Sequence, residues 1–532
     1  MIPGPTAVGG LLDAIADVGR APSGGYERFA WTVHDLALRE WFAAEATARG
    51  LDVTVDRAGN QWAWWGDPDA VGPGVVTGSH LDSVPGGGRY DGPLGVVSAF
   101  AALDALRADG VVPARPLGIV NFSDEEGARF GLACLGSRAV TGTVPAERLL
   151  ALRDRAGDSL ADVLGRAGGS GSAGWSGGFG ATGSTGGAGR TGGTPHGGVR
   201  LDHYGRDPEV LARIGVFVEL HVEQGRYLAD LPADDAAPVA IGAAIWPHGR
   251  WRVDLAGEAN HAGTTPLEHR HDPMLDLARL ITDVRAAAEH AGALATLAKV
   301  EVEPNGVNAI PSRVRAWIDA RAQTEQAVRS VIGGTPSGAV LGVPAEAGQV
   351  TAGLVAERGH GERPGLRSSV PGGASGLGEP SGSGVFGGPG GGGGRGLGEW
   401  APVEESWTPA TVFDPALAAR LADVVGRLGS DLPAPVIGTG AGHDAGILAA
   451  AGVPTAMLFV RNPTGVSHSP AEHAEQADCD AGVEALTAVL ADLLTAPALP
   501  SARSATPVGR SATAVSRAGA ARSAAPARQG SP

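Results

Sequence analysis

The stretch GVVTGSHLDSVPGGGRYDG (74–92) decides the fold. It opens on small and β-branched residues without a charge among them, which reads as a strand covered on both faces. It then runs into Ser79-His80-Leu81-Asp82, a glycine-rich turn and Asp91. A small-residue helix is expected from about Gly95 to Leu106, and PLGIVNF (116–122) follows as another apolar strand. Strand, helix and strand in this order predict an α/β fold with a mostly parallel sheet. IGVFVEL (214–220) and PTAMLFV (454–460) have the same texture and extend that sheet. Two helices precede it, one marked by Leu11, Leu12, Ile15 and Val18, the other covering roughly 31–49.

A different texture begins near Ile241. RWRVDLAG (250–257) reads as a strand, Leu277, Leu280, Ile281 and Val284 mark an amphipathic helix, and AKVEVE (298–303) alternates as a half-buried strand. Val314, Ala316 and Ile318 place one face of a further strand inward, and a helix follows at about 325–332. This order suggests an α+β module, one strand short of a ferredoxin-like unit, with TVFD (411–414) as the candidate for the last strand. The expected layout is a larger domain at 1–240 and 414–497, interrupted by the module at 241–413, with a tail at 498–532. Two sequential domains are the alternative. Thirty-one of the 85 glycines fall within 165–198 and 371–398. Insertions at 165–205 and 335–400, and the tail, are therefore expected to be disordered.

Composition removes several classes of function. Two cysteines, Cys134 and Cys479, exclude a disulfide scaffold, and no three-residue glycine period supports collagen. The net charge of −16 is partly masked by five arginines in 501–532, and so acidic a body disfavours nucleic acid and anionic membrane as partners. MIPGPTAVGG (1–10) lacks the basic and apolar regions of a signal peptide. The most apolar run, 445–460, is broken by glycine and proline and is shorter than the roughly 20 residues that span a bilayer. A soluble, cytoplasmic protein is the expectation.

Four apolar strands end in ligand-type residues. The first delivers His80, Asp82 and Asp91; the second Asp124, Glu125 and Glu126; the third His221, Glu223 and Gln224; the fourth, after a short loop, His468. Ligands of open α/β sheets bind beyond the carboxyl ends of strands. Taken singly, a strand-end histidine is ordinarily a satisfied core or surface residue, and Glu125-Glu126 a solvated turn. Four such ends at one rim gather acids that need a cation to be tolerated. Histidine and carboxylate without cysteine suit zinc first, then manganese, cobalt or nickel. Five candidate ligands exceed one catalytic zinc and suit two ions sharing a carboxylate and a water, roughly 3.5–4 Å apart. Neighbouring side chains on extended chain point opposite ways, so Glu125 and Glu126 divide between general base and ligand. Asp82 is placed to accept the other ring N–H of His80.

GSHLDSVPGGGRYDG (78–92), DEEGARFG (124–131), ELHVEQG (219–225), GEANHAGTTP (257–266), PNGVNAIPSRVRAWIDAR (304–321), GAGHDA (440–445) and GVSHSPAE (465–472) together resemble the dinuclear-metal amidohydrolases of the aminoacylase/carboxypeptidase superfamily. The closer similarity is to the branch of allantoate amidohydrolase, N-carbamoyl-L-amino-acid hydrolase and β-ureidopropionase, over nearly all of 5–497 outside the glycine blocks. The resemblance implies His80, Asp91, Glu126, His221 and His468 as ligands with Asp91 bridging, Glu125 as base, and Asp82 as orienter of His80. It implies that His261 of an inserted lid polarises the scissile carbonyl and that Asn308 and Arg321 grip a substrate carboxylate. His443 borders the substrate, and Gln224 is counted with the substrate-binding residues. It also implies a homodimer formed through the lid. A surface ion pair for Arg321 and a plain turn residue for His261 are the competing assignments. The expected activity is metal-dependent cleavage of the ureido C–N bond of a small ureido acid, allantoate first and an N-carbamoyl-L-amino acid second. A dipeptidase or aminoacylase, or a metal-free binding protein, are the rivals. Gly446 departs from the family's usual glutamine and Leu267 from its usual methionine. Cys134 is expected to be a buried small residue without a chemical part.

Overall fold

The structure, a computed structural model, describes residues 7–168, 199–333, 400–429 and 432–500. Most of both glycine-rich insertions and the tail from 501 lie outside the described residues.

In chain order the strands are β1 (Asp52–Val55), β2 (Gln61–Trp65), β3 (Gly74–His80), β4 (Leu117–Phe122), β5 (Ile214–Val222), β6 (Val239–Ile245), β7 (His248–Ala256), β8 (Asn260–His261), β9 (Leu294–Glu303), β10 (Ala309–Ile310), β11 (Arg313–Arg321), β12 (Val403–Thr408), β13 (Thr411–Val412), β14 (Val436–Thr439) and β15 (Thr455–Val460). A nine-stranded sheet runs β1-β2-β4-β3-β5-β15-β6-β13, with β14 also on β6. Its centre, β4-β3-β5-β15, is parallel, whereas β2 and β6 flank it antiparallel. The α/β class with a mostly parallel central sheet therefore holds.

The pleat sorts the apolar runs onto two cores. Val75, Ile119, Val218, Leu220 and Leu458 face one side, against the helices Pro93–Ala108, Pro415–Gly429 and Gln476–Thr495. Val76, Val120, Phe217, Met457 and Phe459 face the other, against Leu135–Thr141 and Asp444–Ala450. Covering on both faces is why these strands read as unbroken apolar runs. Register then brings the strand ends level: His80 pairs with Phe122, and His221 with Phe459.

The second sheet is antiparallel, in the order β12-β7-β11-β9. Trp251, Val253 and Leu255 of β7 and Val314, Ala316, Ile318 and Ala320 of β11 alternate inward, where the helices Pro273–Ala291 and Glu325–Val331 cover them. Three expectations change. Residues 411–414 do not close this sheet: Thr411–Val412 pairs with β6, and Phe413 is buried in the larger core. The closing strand is β12, whose VEESWT lies largely exposed and shows no apolar alternation. Strand β6 carries the larger sheet past residue 241, so the smaller sheet begins only at His248. AKVEVE belongs to an edge strand more exposed than half-buried.

The chain crosses between the sheets twice, at 246–247 and 409–410. The crossings lie side by side, since His248 pairs with Thr408 and Ile245 with Thr411. No helix among the described residues is long and apolar enough to cross a membrane.

Candidate active site

His80 closes β3 and His221 sits one residue from the end of β5, each 1% exposed. Gly92 makes room for the first: its φ is +84°, and a Cβ there would lie 2.3 Å from the His80 ring. Asp91 lies between the two imidazoles, its Oδ1 3.2 Å from His221 Nε2 and 3.9 Å from His80 Nε2. The loop after β15 brings His468, with φ +54°, to 3.5 Å from Asp91 Oδ2 and 3.4 Å from Glu126 Oε2. Of the three potential ligand groups among the described residues, one is Glu219–His221–His443; the other two, His80–Asp91–His221 and Asp91–Glu126–His468, each with its ligand atoms within 4.8 Å of one another, share Asp91. Glu125 stands beside them, with Oε2 3.7 Å from His80 Nε2.

The donor set suits divalent cations. Nε2 of His80 and Nε2 of His221 are buried with no hydrogen-bond partner, although a buried ring nitrogen ordinarily finds one. Their Nδ1 atoms face backbone carbonyls, of Asp82 at 3.1 Å and Val222 at 2.9 Å, which leaves Nε2 for a metal. The carboxylates carry the complementary strain. Burial, then Asp91, pushes Glu126 up to about 8, and burial with Asp444 and Glu126 holds Glu125 well above the usual carboxylate range. Burial opposes charge on His80 too, yet Asp82, Glu125 and Glu126 together raise it well above its ordinary value. Burial likewise works against an ionised Asp91, but His221, His80 and His468 outweigh it and keep Asp91 low. Positive charge placed among these groups relieves the crowded acids.

Asp82 does more than orient a ring. Its Oδ1 lies 3.4 Å from His80 Nδ1, but its carboxylate also accepts the backbone amides of Glu125 and Glu126, each at 3.1 Å. It thus ties the Glu125–Glu126 loop to the His80 strand. Gln224, expected at the substrate, donates to Asp91 Oδ2 at 2.8 Å, the turn after β5 aiming it at that carboxylate. Ser467 donates to the same oxygen at 2.9 Å, and Glu472 accepts the backbone amides of Tyr90 and Asp91. Neither residue was singled out beforehand, although both lie in the quoted GVSHSPAE string. His443 is buried against His221, ring centres 4.5 Å apart, and burial followed by His221 keeps it well below its usual value, hence neutral.

The remaining residues sit on the smaller sheet's side. His261 and Asn308 are brought together by the β8/β10 ladder, both exposed and in neither ligand group. Arg321 forms the ion pair foreseen as its alternative, with Asp319 at 2.7 Å, but also donates to the Gly440 carbonyl at 2.8 Å, next to the GHDA loop. A Cβ at Gly446 would meet Ile245 Cδ1 at 2.5 Å, so Ile245 fills space that a longer side chain there would need.

The model of the family described as "Peptidase family M20/M25/M40" matches residues 76–492. The chain is 32% identical over 480 residues to an N-carbamoyl-L-amino acid amidohydrolase of Geobacillus stearothermophilus, covering 89% of this chain and 95% of that one. It is 26% identical over 489 residues to an allantoate amidohydrolase of Escherichia coli K12, covering 92% and 97%. Among solved structures it resembles an amidase of the hydantoinase/carbamoylase family from Burkholderia vietnamiensis, with a TM-score of 0.65, 25% identity, and coverage of 92% of this chain and 97% of that one.

Proposed function

The chain belongs to peptidase family M20/M25/M40, and from that premise we propose that it is a metal-dependent amidohydrolase. Its substrate would be a small carboxylate-bearing ureido acid, an N-carbamoyl-L-amino acid or allantoate, cleaved at the ureido C–N bond. The observation that carries the proposal is the pair of ligand groups joined at Asp91, with Glu125 beside them.

We assign His80, His221 and Asp91 to one divalent ion and Asp91, Glu126 and His468 to a second, zinc being the first choice for this donor set. When bound, such ions acidify a water and polarise a carbonyl oxygen. Glu125 is the group that takes a proton from the attacking water and returns it to the leaving nitrogen. Asp82 keeps Glu125 and His80 in one frame. The smaller module, within 241–413, is read as a ferredoxin-like lid from its strand–helix–strand–strand–helix–strand order. Arg321, exchanging Asp319 for substrate, and Asn308 would hold the carboxylate; an arginine fork fits it in two places. His261 would face the carbonyl oxygen, and neutral His443 would line the pocket. Exposed Leu275 and Ile281 and the edge strand β9 support a homodimer formed through this module.

The test is turnover of N-carbamoyl-L-amino acids, allantoate, β-ureidopropionate and a dipeptide panel, before and after exhaustive chelation. Hydrolysis of a ureido acid, abolished by chelation and restored by a divalent metal, is expected. Full activity in metal-free protein, or turnover confined to dipeptides, overturns the proposal.

A further inference from the structure

We propose that Cys134 is a positioning residue: its thiol holds one oxygen of Glu125 so that the other stays turned toward His80 and the ligand groups. The inference rests on the assignment of Glu125 as base. Cys134 Sγ lies 3.1 Å from Glu125 Oε1 and donates to it, while Oε2 faces His80 Nε2 at 3.7 Å. The two oxygens thus have separate partners. Both residues are buried, and Cys134 is a free thiol. Burial, followed by Glu125, pushes the thiol's pKa up, so it remains the protonated donor.

The backbone is arranged around this contact. Cys134 N donates to Glu125 O at 2.5 Å, Leu135 N to Asp124 O at 3.0 Å, and Gly136 N to Ser123 O at 2.9 Å, so 134–136 runs as a short ladder along the base loop. Cys134 has φ +56°, the left-handed region that disfavours a side chain and that glycine enters freely. A side chain is nevertheless present there, and it reaches the base. Its chemistry suits the position, because S–H is a weak donor. One such bond is enough to fix which carboxylate oxygen turns toward His80.

The experiment compares Cys134→Ala, Cys134→Gly, Cys134→Ser and Glu125→Gln in the full metal-loaded chain, on whichever ureido acid the substrate panel identifies. Readouts are kcat and KM separately, bound metal by elemental analysis, and Tm. Loss of the donor in the alanine and glycine variants is expected to lower kcat about tenfold or more, since small misplacements of reacting groups are costly. KM should stay within about twofold and metal content should not change, because uniform binding is untouched. Serine should bring kcat back to within about threefold of wild type by donating from the same place. Glycine also relieves the left-handed backbone, so the inference predicts lost turnover without a matching loss of Tm. Wild-type kcat in the alanine and glycine variants overturns the role of the thiol, as does an equal fall in all three cysteine variants that tracks Tm or metal loss. Glu125→Gln separates the two levels. If it retains turnover, the assignment of the base is wrong; if it is inactive while Cys134→Ala is unimpaired, only the thiol's part falls.

Discussion

The two candidate ligand groups that meet at Asp91 are built in different ways. His80 and His221 stand on central strands and are 1% exposed, so their spacing is set by sheet register and by the cores on either face. The His468 side chain is 51% exposed on a loop residue with φ +54°, and its partner Glu126 lies on the loop after β4. The first group is as rigid as the sheet. The second depends on a few hydrogen bonds: the Glu126 amide to Asp82, and Ser467 and Gln224 to Asp91. An ion at the second group should therefore be the first to leave under mild chelation, which would appear as two phases of metal loss.

The largest effect should come from the residue beside the groups. Glu125→Gln is expected to lower kcat about 10²–10⁴-fold, the usual contribution of a general base, with metal content preserved in elemental analysis. Next is the rigid side. Leu220→Ala, in the core directly before His221, should cost about 2–5 kcal/mol in urea unfolding. A truncation at exposed Val112, Val112→Ala, should stay within about 0.5 kcal/mol. Asp82→Asn should weaken metal binding about 10–100-fold, as losses of ligand-orienting partners do. Ser467→Ala, removing one of two donors to Asp91 Oδ2, should do less, and mainly to the loosely held ion. Equal affinities for both ions in both variants would erase the contrast.

The last effect is a slope with pH. Burial, followed by Glu219, raises Asp444 to about 8 from an ordinary 3.8. The folded chain then keeps a proton that the unfolded chain has released, so this contribution to stability is full below about pH 4 and is lost as pH rises through 8. Asp444→Asn should flatten the difference in unfolding free energy between pH 5.5 and pH 8, measured on chelator-treated protein.

Much of the sheet was legible because strands covered on both faces leave short, β-branched apolar runs bounded by glycine and proline, and because a polar end follows directly in sequence. His80, Asp91, Glu126, His221 and His468 converge for that reason. What sequence could not give were contacts routed through the backbone or through a returning loop. Asp82 spends its carboxylate on two amides 43 and 44 residues away, and an amide carries no side-chain signature. Gln224 follows the strand residues toward the rim, but its turn aims it at Asp91. Cys134 meets Glu125 only because residues 127–133 fold back on the base loop. Strand β12 was missed because a long low-complexity segment precedes it and four of its six residues face water.

The paired crossings at 246–247 and 409–410 have a mechanical consequence. Two backbone connections fastened next to each other would act like the pins of a door: were the smaller body to move, it would turn about one line rather than slide or twist. His261, Asn308 and Arg321 would then travel together along a single arc toward the rim, with the Arg321 contact to Gly440 serving as a latch near the pivot.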